Sequence, residues 1–358
     1  MRHTLTAALA ACSLLTLAQG AQAQDQVVNL YSARHYTTDE ALYSGFTKAT
    51  GIKINRVDAD DAGILARLKA EGSASPADVI LLVDAARLYK GEVDGLFQPI
   101  HSQVLNDAIP ANLRSQPAAN GGGISWFGLS TRARVIVYNK VKVQKSDVDT
   151  YEDLGDPKNK GKLCIRSGSH PYNLSLFGAV TEHLGEPKAE AWLKGMVANL
   201  ARPPKGGDTD QIKAVAAGEC DIAVTNSYYL ARLLRSNKPE DVAVANKVGV
   251  VFPNQQSWGT HLNIAGGAVA RHAKNQANAV KFLEYLASPQ AQNYFANGNN
   301  EWPHSQRRGR REPGTQGHDR RCGFQKRNHS DQRGRGQHPQ GAANARPRGL
   351  SLKLRPLI

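Results

Sequence analysis

The sequence lacks the motifs that would assign it to a common enzyme class. Its 358 residues contain no GxSxG elbow, no HExxH pair, no phosphate-binding P-loop, and no dinucleotide-binding fingerprint after the first predicted strand. After the N-terminal segment, no apolar run approaches the roughly 18 to 20 residues that would span a bilayer. Catalysis is therefore unsupported, and we expect a soluble, exported protein.

Cysteine is also scarce, with four residues in the chain. Cys12 lies in the N-terminal segment and Cys322 in the C-terminal tail, so the body keeps Cys164 and Cys220, each at the start of a predicted strand. The absence of a CxxC pair argues against a redox or zinc site. In an oxidising compartment the two could form a disulfide, worth on the order of 4 kcal/mol for a loop of this length. The alternative is two separate buried thiols.

The first residues have the pattern of a secretory signal peptide. Arg2 and His3 precede an apolar stretch from Leu5 to Leu17, and Ala21-Gln22-Ala23 is a small-x-small cleavage site. We predict a signal peptide over residues 1–23 and an exported protein. A lipid anchor at Cys12 is the alternative, but cleavage there would leave an unusually short apolar core.

The net charge of +14 is concentrated at the C-terminal end. From His304 onward the chain has twelve Arg and two Lys against three acidic residues, a net charge of +11, so only +3 remains for the rest. The nearly neutral body gives no reason to expect nucleic-acid binding. Residues 304–358 also lack the apolar periodicity of a folded core. We interpret them as a disordered Arg/Gly-rich tail produced by a frameshift, and the alternative is a genuine arm that binds polyanions.

The body, from Asp25 to Pro303, alternates short apolar runs with amphipathic ones, which indicates an α/β fold with largely parallel sheets. At roughly 280 residues, two lobes are expected. An extended segment over 124–139 is predicted to cross from one lobe to the other, with a second crossing near Phe252 to Thr260. The predicted strands are Val27 to Tyr31, Ile52 to Val57, Val79 to Val83, Leu163 to Arg166, and Ile222 to Thr225.

Histidine and tyrosine side chains follow three of these strands. Tyr228 and Tyr229 come after Asn226 and Ser227, which are predicted N-cap residues of a helix. His35 and Tyr36 precede a predicted capping box over 37–40, and Tyr172 follows a third strand. Ligands of open α/β sheets bind beyond the carboxyl ends of strands. The pattern therefore predicts that these side chains converge in one cleft.

Several phenols and one imidazole around a point would suit Fe³⁺. A phenol has a pKa near 10, so it binds a metal as phenolate only if a strong Lewis acid offsets the loss of its proton. His170 is a lesser candidate for a ligand. Taken singly, each tyrosine is more simply a half-buried ring, and the arginines nearby are by default solvated or paired: Arg34, Arg132, Arg134 and Arg166.

Four segments together carry a resemblance to a known family. They are YSARHYTTDEALYSGFTKATGIKI, ADVILLVDAARLYKGEVDGLFQPI, RSGSHPYNLSL and AVAAGECDIAVTNSYYLARLL. In this order they resemble the periplasmic iron(III)-binding proteins of ABC-type iron importers. The resemblance implies a type II periplasmic binding protein with two lobes, a ligand cleft between them and two crossover strands. We place lobe one at 24–128 and 253–303, and lobe two at 129–252.

The resemblance also implies a site and partners. The expected iron ligands are His35, Tyr36, Tyr172, Tyr228 and Tyr229. Arg132 becomes a candidate contact for a synergistic anion such as carbonate, which some members of the family use and others do not need. The expected partners are a ferric ion or ferric chelate and an inner-membrane ABC permease with its ATPase, and the protein is expected to be a monomer. In the family the chain continues past an EWP-like segment into further helices, which the tail replaces here.

Two other functions stay open at this stage. A related binding protein could take another small solute, such as a polyamine, thiamine or an oxyanion, through carboxylates or an aromatic box. A polyanion-binding protein could use the basic tail, and its affinity would then fall steeply with salt.

Overall fold

A computed structural model of the chain describes residues 26–34, 36–118 and 121–304. The predicted signal peptide over 1–23, with Cys12, lies outside these residues, and so does the candidate ligand His35. The predicted tail lies outside them as well, apart from its first residue. That residue, His304, is buried, and its backbone N–H donates to Oε1 of Gln292 at 3.0 Å.

The described residues alternate strands and helices along the chain. The strands are β1 (Val27–Ser32), β2 (Lys53–Asp58), β3 (Val79–Leu82), β4 (Phe97–Gln98), β5 (Phe127–Asn139), β6 (Leu163–Cys164), β7 (Ile222–Asn226), β8 (Val248–Val251), β9 (Leu262–Ala270) and β10 (Trp302–Pro303). The helices are α1 (Glu40–Thr50), α2 (Asp61–Glu71), α3 (Ala85–Val93), α4 (Gln103–Ala108), α5 (Pro171–Leu184), α6 (Glu186–Ala198), α7 (Asp208–Ala217), α8 (Ser227–Leu234), α9 (Pro239–Lys247), α10 (Gln276–Ala287) and α11 (Pro289–Gly298). The five predicted strands are all present, although the one predicted to reach Arg166 ends at Cys164.

The sheet is mixed, which corrects the prediction of largely parallel sheets. Its order is β2-β1-β3-β9-β5-β7-β6, with β4 paired to β9 and both β8 and β10 paired to β5. Of the nine pairings between described strands, three are parallel and six antiparallel. The antiparallel pairings arise because β5 and β9 run through the middle of the sheet against their neighbours.

Strand β5 joins the two halves of the sheet. Its first part pairs with β9, from Phe127 opposite Gly267 to Ala133 opposite Leu262, and its second part pairs with β7 and β8. Of the predicted extended segment over 124–139, residues 127–139 form a strand shared by both halves of the sheet. At the second predicted crossing, near Phe252 to Thr260, the chain forms turns, and the returning strand β9 begins at Leu262.

The buried apolar side chains form clusters on either side of this shared strand. The first cluster combines β1, β3, α1, α10 and α11, with Leu30, Phe46 and Phe282 fully buried. Two further clusters lie around the second half of β5 and are formed mainly by residues between 136 and 251. The lobe boundaries at 128/129 and 252/253 stay a prediction.

The capping box predicted over 37–40 stays a prediction, because the Thr37 side chain lies outside the described residues. Residues Thr37–Asp39 make one turn of 3₁₀ helix, α1 begins at Glu40, and Asp39 makes no side-chain cap. The Asp39 carboxylate accepts from Arg34 Nε at 2.6 Å in a buried ion pair. By contrast, the predicted start of α11 is confirmed, with Pro289 in the first turn and the Ser288 hydroxyl accepting from Ala291 N.

Two further sequence expectations concern membrane spans and cysteines. Within the described ranges, no helix combines the length and apolar character that crossing a membrane requires. Cys164 on β6 and Cys220 just before β7 face each other with Cα atoms 5.8 Å apart, a separation that suits a disulfide. Both side chains are buried.

Candidate functional site

Tyr36 lies in the turn that follows β1. Ser32, the last residue of β1, accepts the Arg34 backbone N–H through its hydroxyl at 3.1 Å, which bends the chain away from the strand direction. The Arg34 guanidinium lies over the Tyr36 ring at 4.9 Å from its centroid. Tyr36 is buried, with 6 % of its surface exposed. The carboxyl end of β1 therefore places a phenol inside the protein.

Tyr172 occupies the first turn of α5. His170 is the N-cap, and its Nδ1 accepts the backbone N–H of Tyr172 at 3.2 Å, while Pro171 holds the first helical position. The neighbouring Asn173 is fully buried, and its side-chain amide donates to the carbonyls of Arg166 and Ser167. The helix start is therefore tied to the preceding loop, which fixes the position of the Tyr172 ring.

Tyr228 and Tyr229 lie in the first turn of α8, directly after β7. Asn226 is at the predicted N-cap position, but its side chain makes no cap. Its Oδ1 accepts from Arg134 Nη1 at 3.2 Å, and the same guanidinium donates to Asp208 at 2.6 Å. A buried arginine on the shared strand β5 thus holds the junction that carries the two phenols.

The structure brings these four predicted phenols together. The hydroxyl oxygens of Tyr172 and Tyr228 are 3.5 Å apart. The rings of Tyr36 and Tyr228 meet edge to face with centroids 5.9 Å apart, and Tyr228 stacks on Tyr229 at 4.2 Å. Tyr36 comes from the side of the sheet with the first apolar cluster, and the other three come from the opposite side. The predicted convergence of Tyr36, Tyr172, Tyr228 and Tyr229 is present in the fold.

A cleft of about 640 Å³ opens beside these phenols. Tyr36, Tyr172 and His170 form part of its wall, and His170 packs edge to face on Tyr172 at 4.6 Å between centroids. The rest of the wall includes many charged side chains, namely Arg34, Glu40, Arg56, Asp58, Asp60 and Asp61. The space is large compared with a single metal ion and connects the phenols to the protein surface.

Burial keeps the buried phenols protonated in the absence of a metal. Burial raises the pKa of Tyr172 to about 12, an effect that the Arg132 guanidinium partly offsets. Burial and, next, the Glu301 carboxylate raise the pKa of Tyr36 well above that of a free phenol. The pKa of Tyr228 is raised by burial and by its neighbouring phenols. Only a ligand with strong affinity for phenolate would displace these protons near neutral pH.

A buried carboxylate, Glu301, links two of the arginines under the site. Its Oε2 accepts from Arg34 at 3.3 Å and from the Ser130 hydroxyl at 2.7 Å, and its Oε1 accepts from Arg132 at 3.4 Å. Burial alone would raise the pKa of the Glu301 carboxyl, but the two guanidinium groups outweigh it and hold the pKa below the usual range. Arg132, the predicted anion contact, is thus engaged by Glu301 and by the Val83 carbonyl.

Sequence reasoning missed two residues beside the phenols. Glu301 is 267 positions from Arg34, and no local sequence pattern predicts that the two side chains pair. Arg232 lies one helical turn after Tyr228, and its guanidinium carbon is 5.5 Å from the Tyr228 ring centroid and 5.7 Å from that of Tyr36. The i,i+4 spacing from Tyr228 could have suggested Arg232. Within the part of the chain that the structure describes, no three His, Cys, Asp or Glu side chains form a metal cluster.

Comparison with known proteins gives consistent matches over the body of the chain. Residues 41–307 match the family described as bacterial extracellular solute-binding protein. Iron uptake protein A1 of Synechocystis is 49% identical over 280 residues, which cover 78% of this chain and 76% of that protein.

Solved structures match over a similar share of the chain. A Trichodesmium protein described as in complex with iron and citrate ligands has a TM-score of 0.72 and 56% sequence identity, covering 78% of this chain and 86% of that one. The ferric binding protein from Campylobacter jejuni has a TM-score of 0.73 and 41% identity, covering 77% and 86% of the two chains.

Proposed function

The chain belongs to the bacterial extracellular solute-binding proteins, among the periplasmic iron(III)-binding proteins, and from this premise we propose that it captures Fe³⁺ with converging tyrosine phenolates. Its fold is that of a type II periplasmic binding protein, with two lobes and a ligand cleft between them. Proteins of this family bind and deliver solutes and are not enzymes. The proposed ligands are His35, Tyr36, Tyr172, Tyr228 and Tyr229.

The main support for this proposal is that the side chains of four tyrosines from different elements lie in contact: Tyr36, Tyr172, Tyr228 and Tyr229. Hard anionic oxygen donors suit Fe³⁺, and buried phenols of raised pKa release their protons only to a strong Lewis acid. A soft or weakly acidic metal would not offset that loss. His35, which lies outside the described residues, would add a neutral nitrogen donor beside Tyr36.

The surrounding charges support such a site. Four phenolates and one Fe³⁺ have a net charge of about −1, which a buried site tolerates only near compensating charge. Arg132, fully buried on β5, lies with its guanidinium carbon 5.7 Å from the Tyr172 ring centroid, and Arg232 lies over Tyr36 and Tyr228. These guanidinium groups stabilise the phenolate form of the rings.

We infer that no synergistic carbonate is required. Four phenolates and one imidazole already supply five donors. The buried guanidinium groups around them donate to protein carboxylates, as Arg34 does to Asp39, Arg132 to Glu301 and Arg134 to Asp208. Protein carboxylates therefore take the place that an external anion would fill at these arginines.

The remaining parts of the function concern transport. The protein works in the periplasm, and we propose that it acts as a monomer and delivers iron to an inner-membrane ABC permease with its ATPase. Closure of the two lobes around the ion would form the shape that the permease recognises. We also propose a disulfide between Cys164 and Cys220, consistent with the oxidising compartment and with their geometry.

The test is a titration of the purified protein with ferric citrate while the visible absorbance is recorded. We expect a broad phenolate-to-iron charge-transfer band that saturates at one iron per protein. The variant with Tyr228→Phe and Tyr229→Phe should lose the band, whereas Tyr89→Phe, which changes an exposed tyrosine on α3, should keep it. A folded protein without a band would instead support the binding of another small solute, such as thiamine or a polyamine.

A further inference from the structure

We propose that the hydrogen bond between Arg235 and Asn300 is a latch that holds the lobes closed and slows iron release. Nη1 of Arg235 donates to Oδ1 of Asn300 at 2.6 Å. The two residues are 65 positions apart, and the helices that they follow, α8 and α11, pack in different apolar clusters. The inference deepens the proposed function and rests on it, because it concerns how the same site keeps its ion.

The Arg235 end of the latch moves with two of the phenols. Arg235 is the C-cap of α8, whose first turn holds Tyr228 and Tyr229. Leu230 and Leu233 of the same helix are buried in an apolar cluster of lobe two. A helix of eight residues anchored in this way behaves as a rigid rod, so Arg235 and the phenols shift together.

The Asn300 end of the latch moves with Tyr36. The preceding residue, Asn299, is fully buried and donates through Nδ2 to Asp39 at 2.8 Å. The following residue, Glu301, accepts from Arg34, whose guanidinium lies over the Tyr36 ring. Asn300 itself has a φ of +57°, a left-handed conformation that asparagine adopts more readily than most residues. The segment from 299 to 301 is thus fixed to the turn that carries Tyr36.

Because both ends are tied to phenols, the latch and the iron site form in the same arrangement of the lobes. Tyr36 and Tyr228 lie edge to face with ring centroids 5.9 Å apart in the same structure that holds the Arg235–Asn300 bond, so a lobe movement that separates the two rings would also separate Arg235 from Asn300. A bond present in the closed state alone shifts the population toward that state by its own free energy. Because the bond lies near the surface, its effect should be a few-fold change in rate.

The experiment measures iron release to excess EDTA as the loss of the charge-transfer band. Asn300→Gly removes the side chain and tolerates the positive φ, and Arg235→Ala removes the donor. Each should release iron about two- to fivefold faster than the wild type. The double variant should be no faster than either single variant, because one bond is lost in all three. Asn300→Asp keeps a left-handed backbone accessible, places a carboxylate opposite Arg235, and should slow release.

A matched control is Asn297→Ala. It removes a surface hydrogen bond of similar length, from Asn297 to Asn293 at 2.7 Å, but one that lies within α11. This variant should release iron at the wild-type rate. Wild-type rates in both single latch variants, or effects that multiply in the double variant, would overturn the latch.

A second measurement separates this inference from the proposed function. The radius of gyration of the metal-free protein by small-angle X-ray scattering reports lobe opening without any iron. If the latch acts as proposed, the radius of gyration should be larger than that of the wild type for Asn300→Gly and smaller for Asn300→Asp. If the protein binds no iron but its variants show this order of radii, the proposed function is refuted and the inference about the latch is still supported. Equal radii, together with unchanged release rates, would refute the latch alone.

Discussion

The hydroxyl oxygens of Tyr172 and Tyr228 lie 3.5 Å apart, although the residues are separated by 56 positions. Each phenol is at the start of a helix that follows a strand, and those strands, β6 and β7, are parallel neighbours. Their carboxyl ends therefore share one edge of the sheet. The site follows from this topology, with Tyr36 added from the turn after β1.

Iron binding should release protons from the phenols. Because burial raises the pKa of Tyr172 to about 12, this phenol is protonated at pH 7 and must lose its proton to bind Fe³⁺. In weakly buffered solution, a pH indicator should report one proton fewer per iron for Tyr172→Phe than for the wild type. Equal proton release by both proteins would show that Tyr172 is not a ligand.

The same raised pKa predicts lower stability of the metal-free protein at high pH. The folded state keeps the Tyr172 proton up to about pH 12, whereas an unfolded chain loses it near pH 10. The free energy of unfolding is therefore unaffected by this group below pH 10 and decreases as the pH rises toward about 12. The loss is about 1.4 kcal/mol for each pH unit in that window. The free energy of unfolding, measured with urea, should decrease less between pH 9 and pH 11 for Tyr172→Phe than for the wild type. An identical decrease would contradict the assignment.

Glu301→Ala should strongly destabilise the protein. It leaves the buried guanidinium groups of Arg34 and Arg132 without their shared carboxylate, and breaking a buried ion pair in this way costs about 3–5 kcal/mol. Glu190→Ala, which removes an exposed i,i+4 pair with Lys194, should leave the urea midpoint unchanged. A small effect of Glu301→Ala would mean that water or another group replaces the carboxylate.

Cys164 and Cys220 should be found linked in the protein purified without reductant. Peptide mass mapping identifies the bridge despite the other two cysteines of the chain. Replacement of both residues by serine should lower the free energy of unfolding by about 4 kcal/mol, since a loop of 56 residues would no longer be closed in the unfolded chain. Free thiols at both positions would establish the alternative of two separate buried cysteines.

Iron binding should be independent of carbonate. In bicarbonate-free buffer the charge-transfer band should form with the same midpoint as in bicarbonate, because the arginines near the phenols already pair with Asp39, Asp208 and Glu301. A band that appears only with bicarbonate would show that the ligand set is incomplete without the anion. Arg132, whose Nε has no hydrogen-bond partner among the described residues, would then be the first contact to test.

The phenols could be predicted from the sequence because each follows a recognisable strand. Tyr228 is two residues after the end of β7 and Tyr172 is eight residues after the end of β6, and apolar runs identify such ends well. The direction of the strands could not be predicted, because β9 pairs against β3 through contacts that no local pattern specifies. Glu301 was missed for the same reason, since its partners Arg34 and Arg132 are brought to it only by the complete fold.

A local signal also failed where a tertiary contact was stronger. Asn226 occupies the predicted N-cap position of α8, but its side chain makes no cap and accepts from Arg134 instead. A buried arginine on β5 therefore binds the side chain that the local rule would place on the helix backbone.

The most direct test of the account is a crystal structure of the protein with ferric ion, using anomalous diffraction at the iron absorption edge. We predict one strong peak within bonding distance of the hydroxyl oxygens of Tyr36, Tyr172, Tyr228 and Tyr229, with the His35 ring completing the set. A peak elsewhere in the protein, or a closed and well-ordered cleft without iron, would contradict the proposed ferric site.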